Sequence, residues 1–108
     1  MEQWVWAGHA GHLCVVDDCR FHMATRVGMY VVSTVGDYYP PGRGVRDTIG
    51  AGEDSFFETF VFPATGEELD CGCPEVESFG EIDGERYADA KAATDGHMRY
   101  CRKYADQQ

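Results

Sequence analysis

Three histidines and two cysteines fall within the fifteen residues 8–22, GHAGHLCVVDDCRFH. Thiolate and imidazole are the ligands zinc prefers, and a cysteine beside a histidine is also the nucleophile–base pair of thiol chemistry. The same residue types recur near the C-terminus, where His97 and Cys101 stand four apart. On a helix that spacing stacks them on one face. Cys19 and His22 have the spacing of half a zinc site, but an extended strand sends residues three apart to opposite faces. His22 therefore serves only if the chain turns there. Cys19 can face the same layer as His97 and Cys101, and His12 or His9 can reach that layer from the preceding segment. His12, Cys19, His97 and Cys101 would then close a tetrahedral site around one structural zinc ion, supplementing a modest core. Cys71-Gly72-Cys73 is a rival source of two thiolates. No two cysteines have the C-x-x-C spacing of familiar zinc modules. The commoner meaning of such residues is a small buried thiol and a hydrogen-bonded core histidine.

The same side chains admit a zinc- or thiol-dependent small enzyme. Cys101 with His97, or Cys19 with His12, would supply nucleophile and base, with Asp95 or Asp17 orienting the imidazole. His9 and His12 with an open position would suit a metal hydrolase. No nucleophile elbow, phosphate loop or His-Glu-x-x-His motif accompanies them. The glycine-rich stretches at 42–44 and 50–55 are not followed by a convincing helix, so they are poor phosphate cradles. No catalytic residue is assigned, and a binding role ranks above an enzymatic one.

Charge points to the binding role. The net charge is −10. Residues 67–89 hold nine acids (Glu67, Glu68, Asp70, Glu75, Glu77, Glu81, Asp83, Glu85 and Asp89) against Arg86 alone, which places −8 in 23 residues. Such a surface repels nucleic acid and membrane and attracts basic proteins. Its plainer use is to keep a small protein soluble. The candidate contact residues are Glu67, Glu68, Asp70, Glu75, Glu77, Glu81 and Asp83, with Phe60 or Tyr87 as an apolar anchor.

These residues need a scaffold. The 108 residues, 44% hydrophobic, suit a single domain over 1–108. No apolar run approaches the roughly 20 residues that span a bilayer. The N-terminal stretch MEQWVWAGHA lacks the basic and apolar regions of a signal peptide, so a cytoplasmic protein with reduced cysteines is expected. Residues 3–16 suggest a strand interrupted by Gly8 and Gly11. Residues 19–38 read as a β-hairpin reversing at Gly28, with Cys19, Phe21, Met23 and Thr25 facing the core and Arg20, His22 and Arg26 facing solvent. A strand is expected at 56–62, ended by Pro63, and then a long acidic loop over 64–84. Residues 85–105 have the spacing of an amphipathic helix, with Tyr87, Ala90, Thr94, His97, Cys101 and Tyr104 in one stripe. Asp83 is its expected N-cap, and Gly96 marks a kink or a close backbone contact. The fold class is α+β: a small antiparallel sheet, hairpin plus further strands, with a C-terminal amphipathic helix packed on one face.

GHLCVVDDCRFHMATRVGMYVVSTVGDYYP, with FETFVF and the terminal GHMRYCRKYA, resembles a group of small phage- and prophage-encoded proteins of unassigned function. The resemblance covers about two-thirds of the chain and rests mainly on the hairpin. The short 40–55 loop departs from the longer segment of other members. The resemblance implies a protein of the anti-CRISPR or other anti-defence class. In that setting the acidic segment would occupy the nucleic-acid channel of a basic host protein, such as a CRISPR effector, without itself binding nucleic acid. A third reading is a structural phage component that forms a homodimer through the strand at 56–62, whose aromatics fall in both parities.

Overall fold

The computed structural model describes residues 4–7 (backbone), 19–40, 42, 44–49, 52–68, 74–78 and 80–107. The strands are β1 (Trp4–Ala7), β2 (Cys19–Val27), β3 (Tyr30–Tyr38), β4 (Phe57–Glu68), β5 (Pro74–Val76) and β6 (Asp83–Tyr87). One helix, α1 (Ala90–Ala105), follows them. All pairings are antiparallel in the order β1-β2-β3-β4-β5, with β6 also on β4. Strands β1–β4 form a half-barrel, and α1 packs against β2, β3, β4 and β6. The expected α+β architecture is therefore the observed one.

The hairpin forms as its alternation predicts. Gly28 takes φ +61°, a conformation that costs glycine nothing, and the register runs from Val27↔Tyr30 to Cys19↔Tyr38. The expected solvent face of β2 is only partly open: Arg20 is exposed and Arg26 half-buried, but His22 is 8% exposed and Ala24 wholly covered. Val31, Ser33, Val35, Glu58, Phe62 and Ala64 are buried with them. Period two distinguishes faces but not their coverage. Here β4 outruns β3 and β5 comes back against β2 and β3, so the second face is also largely covered.

Pro63 does not end β4. Its carbonyl accepts from the Glu77 N–H, so its ring nitrogen lies on that same side, where β4 exchanges β6 for β5 as its neighbour. No ladder bond is lost at that seam. The segment 64–84 is accordingly not one long loop: it contains the end of β4, all of β5 and the start of β6.

The helix starts later than its sequence pattern suggests. Residues 83–87 pair with β4, from Phe57↔Tyr87 to Val61↔Asp83, and α1 begins only at Ala90. Its N-cap is Asp89, not Asp83: the Asp89 carboxylate accepts from the Ala92 N–H at 2.8 Å. No acid lies in the first turn, while Arg102 and Lys103 occupy the last. Replacing Asp89 by alanine is expected to lower stability by about 1 kcal/mol, read as a fall in Tm of a few degrees. The buried stripe is Ala93, Gly96, His97, Cys101 and Tyr104, whereas Ala90 and Thr94 are exposed. A side chain at Gly96 would land on the Tyr87 ring, so this glycine marks a close approach. Among the described residues no helix is long and apolar enough to cross a membrane.

Two apolar clusters hold α1 to the sheet. Near its start, Phe57, Tyr87 and Ala93 gather Phe21, Phe56 and Ala92. Phe21 meets Phe57 edge-on at 5.2 Å, and Phe57 lies where a Gly36 side chain would be. Near its end, Val27, Val32, Val61, Cys101 and Tyr104 gather Tyr30, Tyr100 and Ala105. Burial of these surfaces, at roughly 25 cal/mol per Å2, is the main force on the helix. Between the clusters the interface is polar.

Candidate functional site

Alternation places Thr25, Thr34 and Thr59 on the helix-facing side of three neighbouring strands, with Thr34 directly opposite Thr59. All three are fully buried. The Thr34 and Thr59 hydroxyls lie 2.6 Å apart, and the Tyr87 hydroxyl donates to Thr59 at 3.0 Å. His97, also fully buried, comes down from α1 between the strands. Its Nδ1 is 2.7 Å from the Thr34 hydroxyl and its Nε2 is 2.8 Å from Thr25. Thr25 in turn bonds the Cys101 thiol. A single hydrogen-bonded chain thus runs Tyr87–Thr59–Thr34–His97–Thr25–Cys101 through the middle of the domain.

Burial pushes the His97 pKa down to about 4, with His22 adding a smaller repulsion, so the imidazole is neutral at pH 7. Burial likewise pushes the Cys101 thiol up to about 11 and Tyr87 up to about 12. Cys101 is therefore a thiol, wholly covered, while nucleophilic chemistry needs an accessible thiolate. Both nitrogens of His97 are engaged by threonine hydroxyls, which leaves none as a base for its neighbour on the helix.

Of the expected zinc set, Cys19, His97 and Cys101 are described, and these three do not converge on one point. His97 and Cys101 share one face of α1 and both adjoin Thr25. Cys19 is buried at the far end of β2, opposite Tyr38. Six residues of strand separate it from Thr25, roughly 20 Å at the usual rise. His12 lies outside the described residues, as do His9, Cys14, Asp17, Cys71 and Cys73. Among the described residues no three histidines, cysteines or acids converge as an ion would require.

The acidic candidates fall into two groups. The end of β4 and β5 form a ribbon in which Glu67, Glu68 and Glu77 are exposed. Glu75 is half-buried and accepts from the Thr65 hydroxyl at 2.9 Å, and Thr65 Oγ1 accepts from the Glu67 N–H. Asp70 lies outside the described residues, and Glu81 is exposed beyond the ribbon. Asp83 is spoken for: Lys103 Nζ donates to it at 2.6 Å and the Tyr104 hydroxyl at 2.9 Å. These bonds hold its carboxyl below the usual aspartate range. Glu85 is likewise paired with Arg99. Those two acids fasten β6 to α1.

Of the proposed anchors, Phe60 is half-buried over Gly84, and Tyr87 belongs to the buried chain. Apolar members of the strand at 56–62, Phe57, Val61 and Phe62, are covered within the monomer. Sequence inspection placed Thr25 on the core face but missed Thr34, Thr59 and the Glu58–Arg86 pair. Glu58 is buried on the second sheet face, 3.3 Å from Arg86, and desolvation raises its pKa despite that cation. The available signal was a hydroxyl or carboxylate inside otherwise apolar strands, as in VVSTVG and FFETFVF. Comparison with protein-family models, with curated proteins and with solved structures found no match in any of the three.

Proposed function

We propose that this protein is a non-enzymatic binding protein that presents the β4–β5 ribbon to a basic partner, a nucleic-acid-binding protein whose phosphate-contacting surface it occupies. The observation that carries this reading is the ribbon itself. Residues 64–78 contain five acids and no lysine or arginine, and three of those acids stand exposed on or beside paired strands. Strand pairing fixes their spacing, so less conformational freedom is lost on docking than from a free acidic loop. Asp83 and Glu85 are engaged with the helix, so the contact set narrows to Glu67, Glu68, Asp70, Glu75, Glu77 and Glu81. A carboxylate surface of this kind competes with phosphates for the same lysines and arginines. Blocking a host defence protein, a CRISPR effector among them, in the host cytoplasm is the setting this reading favours.

The variant Glu67→Lys/Glu68→Lys/Glu77→Lys tests it. In bacterial lysate the wild-type protein is expected to retain nucleic-acid-binding proteins, and added duplex DNA or 0.5 M salt, on the order of a Debye length of a few Å, to release them. The triple variant is expected to retain none of them while its circular dichroism and Tm stay unchanged. Equal retention by the variant, or retention that DNA does not displace, would reject the reading.

A further inference from the structure

Where β4 exchanges β6 for β5, the connecting chain hangs on the edge of β4. The Pro63 carbonyl accepts from the Glu77 N–H and the Val61 carbonyl from the Ile82 N–H, each at 2.7 Å. Those two carbonyls are two residues apart, about 7 Å along a strand. To either side, Val76 stands opposite Ala64 and Gly84 opposite Phe60. Val76, Glu77, Ile82 and Gly84 therefore follow one another along this seam, with the Phe60 ring over Gly84.

A lone exposed isoleucine is ordinary on a protein surface. Ile82, however, is 51% exposed between the half-buried Val76 and Phe60, and its neighbours Glu77 and Glu81 are exposed acids. The Glu81 charge also reaches the buried Glu58, which shares a sheet face with Phe60. Arg86 is the only lysine or arginine in residues 74–86, and it is paired with Glu58. The seam is thus a short apolar strip set among carboxylates.

Resting on the binding role proposed above, we infer that this strip is the apolar anchor of the acidic surface, and that the partner it fits is a basic protein segment with apolar side chains between its lysines or arginines. Carboxylates alone accept any flexible polycation, and salt releases it. Covering Ile82 adds an attraction that salt does not screen and disfavours a partner with no apolar group at that point. The acids around it form the polar rim that such an anchor needs. A cation on Glu77 and an apolar side chain on Ile82 would stand about 7 Å apart, the spacing of alternate residues in an extended segment.

Fluorescence anisotropy with two labelled synthetic peptides of equal length and charge tests this. One is a lysine–serine–serine repeat, the other a lysine–leucine–serine repeat. The wild-type protein is expected to bind the leucine peptide about tenfold more tightly, the effect of covering the open half of one isoleucine. In Ile82→Ser, whose circular dichroism and Tm should stay unchanged because the side chain is exposed, that preference is expected to disappear while the serine peptide binds as before. Glu67→Lys/Glu68→Lys/Glu77→Lys is expected to lose both peptides. Equal affinity of the wild type for the two peptides would overturn the anchor and leave the acidic surface standing. So would a leucine preference that survives Ile82→Ser. Binding of neither peptide by the wild type, or of both by the triple variant, would overturn the acidic surface and the anchor with it.

Discussion

Exchange of His97 for leucine is expected to lower the unfolding free energy at pH 7 by about 2–4 kcal/mol, although leucine is more apolar and of comparable volume. The loss comes from the threonines. Thr34 and Thr25 would each lose a hydrogen-bond partner, both in a fully buried layer, and an orphaned buried polar group costs about 1–3 kcal/mol. Urea unfolding monitored by circular dichroism measures the effect. A neutral or stabilised variant would show that the hydroxyls satisfy one another without the imidazole.

The same variant carries a pH signature. The folded-state pKa of His97 is lowered to about 4 from an ordinary 6.5. Between those values the unfolded chain binds the proton and the folded one does not, so stability falls as the pH drops through that window and is fully present above it. A shift of this size corresponds to about 3 kcal/mol. In His97→Leu this slope should vanish, so that wild type and variant differ most at neutral pH and converge near pH 4.

The second large effect is expected from Gly96→Ala. In an exposed helix this substitution would stabilise by about 1 kcal/mol through propensity alone. Here the added Cβ falls on the ring and hydroxyl of Tyr87, far inside van der Waals contact. Tyr87 cannot retreat, because its backbone is paired with Phe57 and its hydroxyl is tied to Thr59. Overpacking of this kind costs about 1–3 kcal/mol, and the broken chain adds to it, so a net loss of about 2–4 kcal/mol is expected. Tyr87→Leu in the same chain should return part of that loss, because it vacates the space the methyl needs. A double-mutant cycle would read the coupling as at least 1 kcal/mol of non-additivity. Additive losses would mean that α1 shifts bodily instead of meeting the ring.

Both predictions concern the layer between the two apolar clusters. An apolar interface of valines and aromatics tolerates sliding of the helix, since hydrophobic contact is not directional. Hydrogen bonds are directional, and His97 can meet Thr25 and Thr34 together in only one register. The polar layer therefore specifies where the helix sits, while the apolar clusters supply most of the energy that keeps it there.

Much of this was legible in the residues themselves. Alternation in CRFHMATRV and MYVVSTVGDYY, with Gly28 between, determined the hairpin, because period two and a permissive turn are local properties. The spacing of His97, Cys101 and Tyr104 determined the buried face of the helix, and of the kink or close contact that Gly96 suggested, the close contact is the one observed. The concentration of acids after residue 66 was equally plain.

What the local pattern could not decide were the partners of each face. Residues 83–87 have helical spacing, yet they pair with β4, because Tyr87 gains a core position there and Asp83 and Glu85 gain cations from α1. Cys19 and Cys101 share a layer in the sequence reading, but length along β2 keeps them apart. Thr25, Thr34 and Thr59 are unremarkable singly, and they become a hydrogen-bonded row only when three strands set them side by side. Periodicity states which way a side chain points. Only the packed chain decides what it meets.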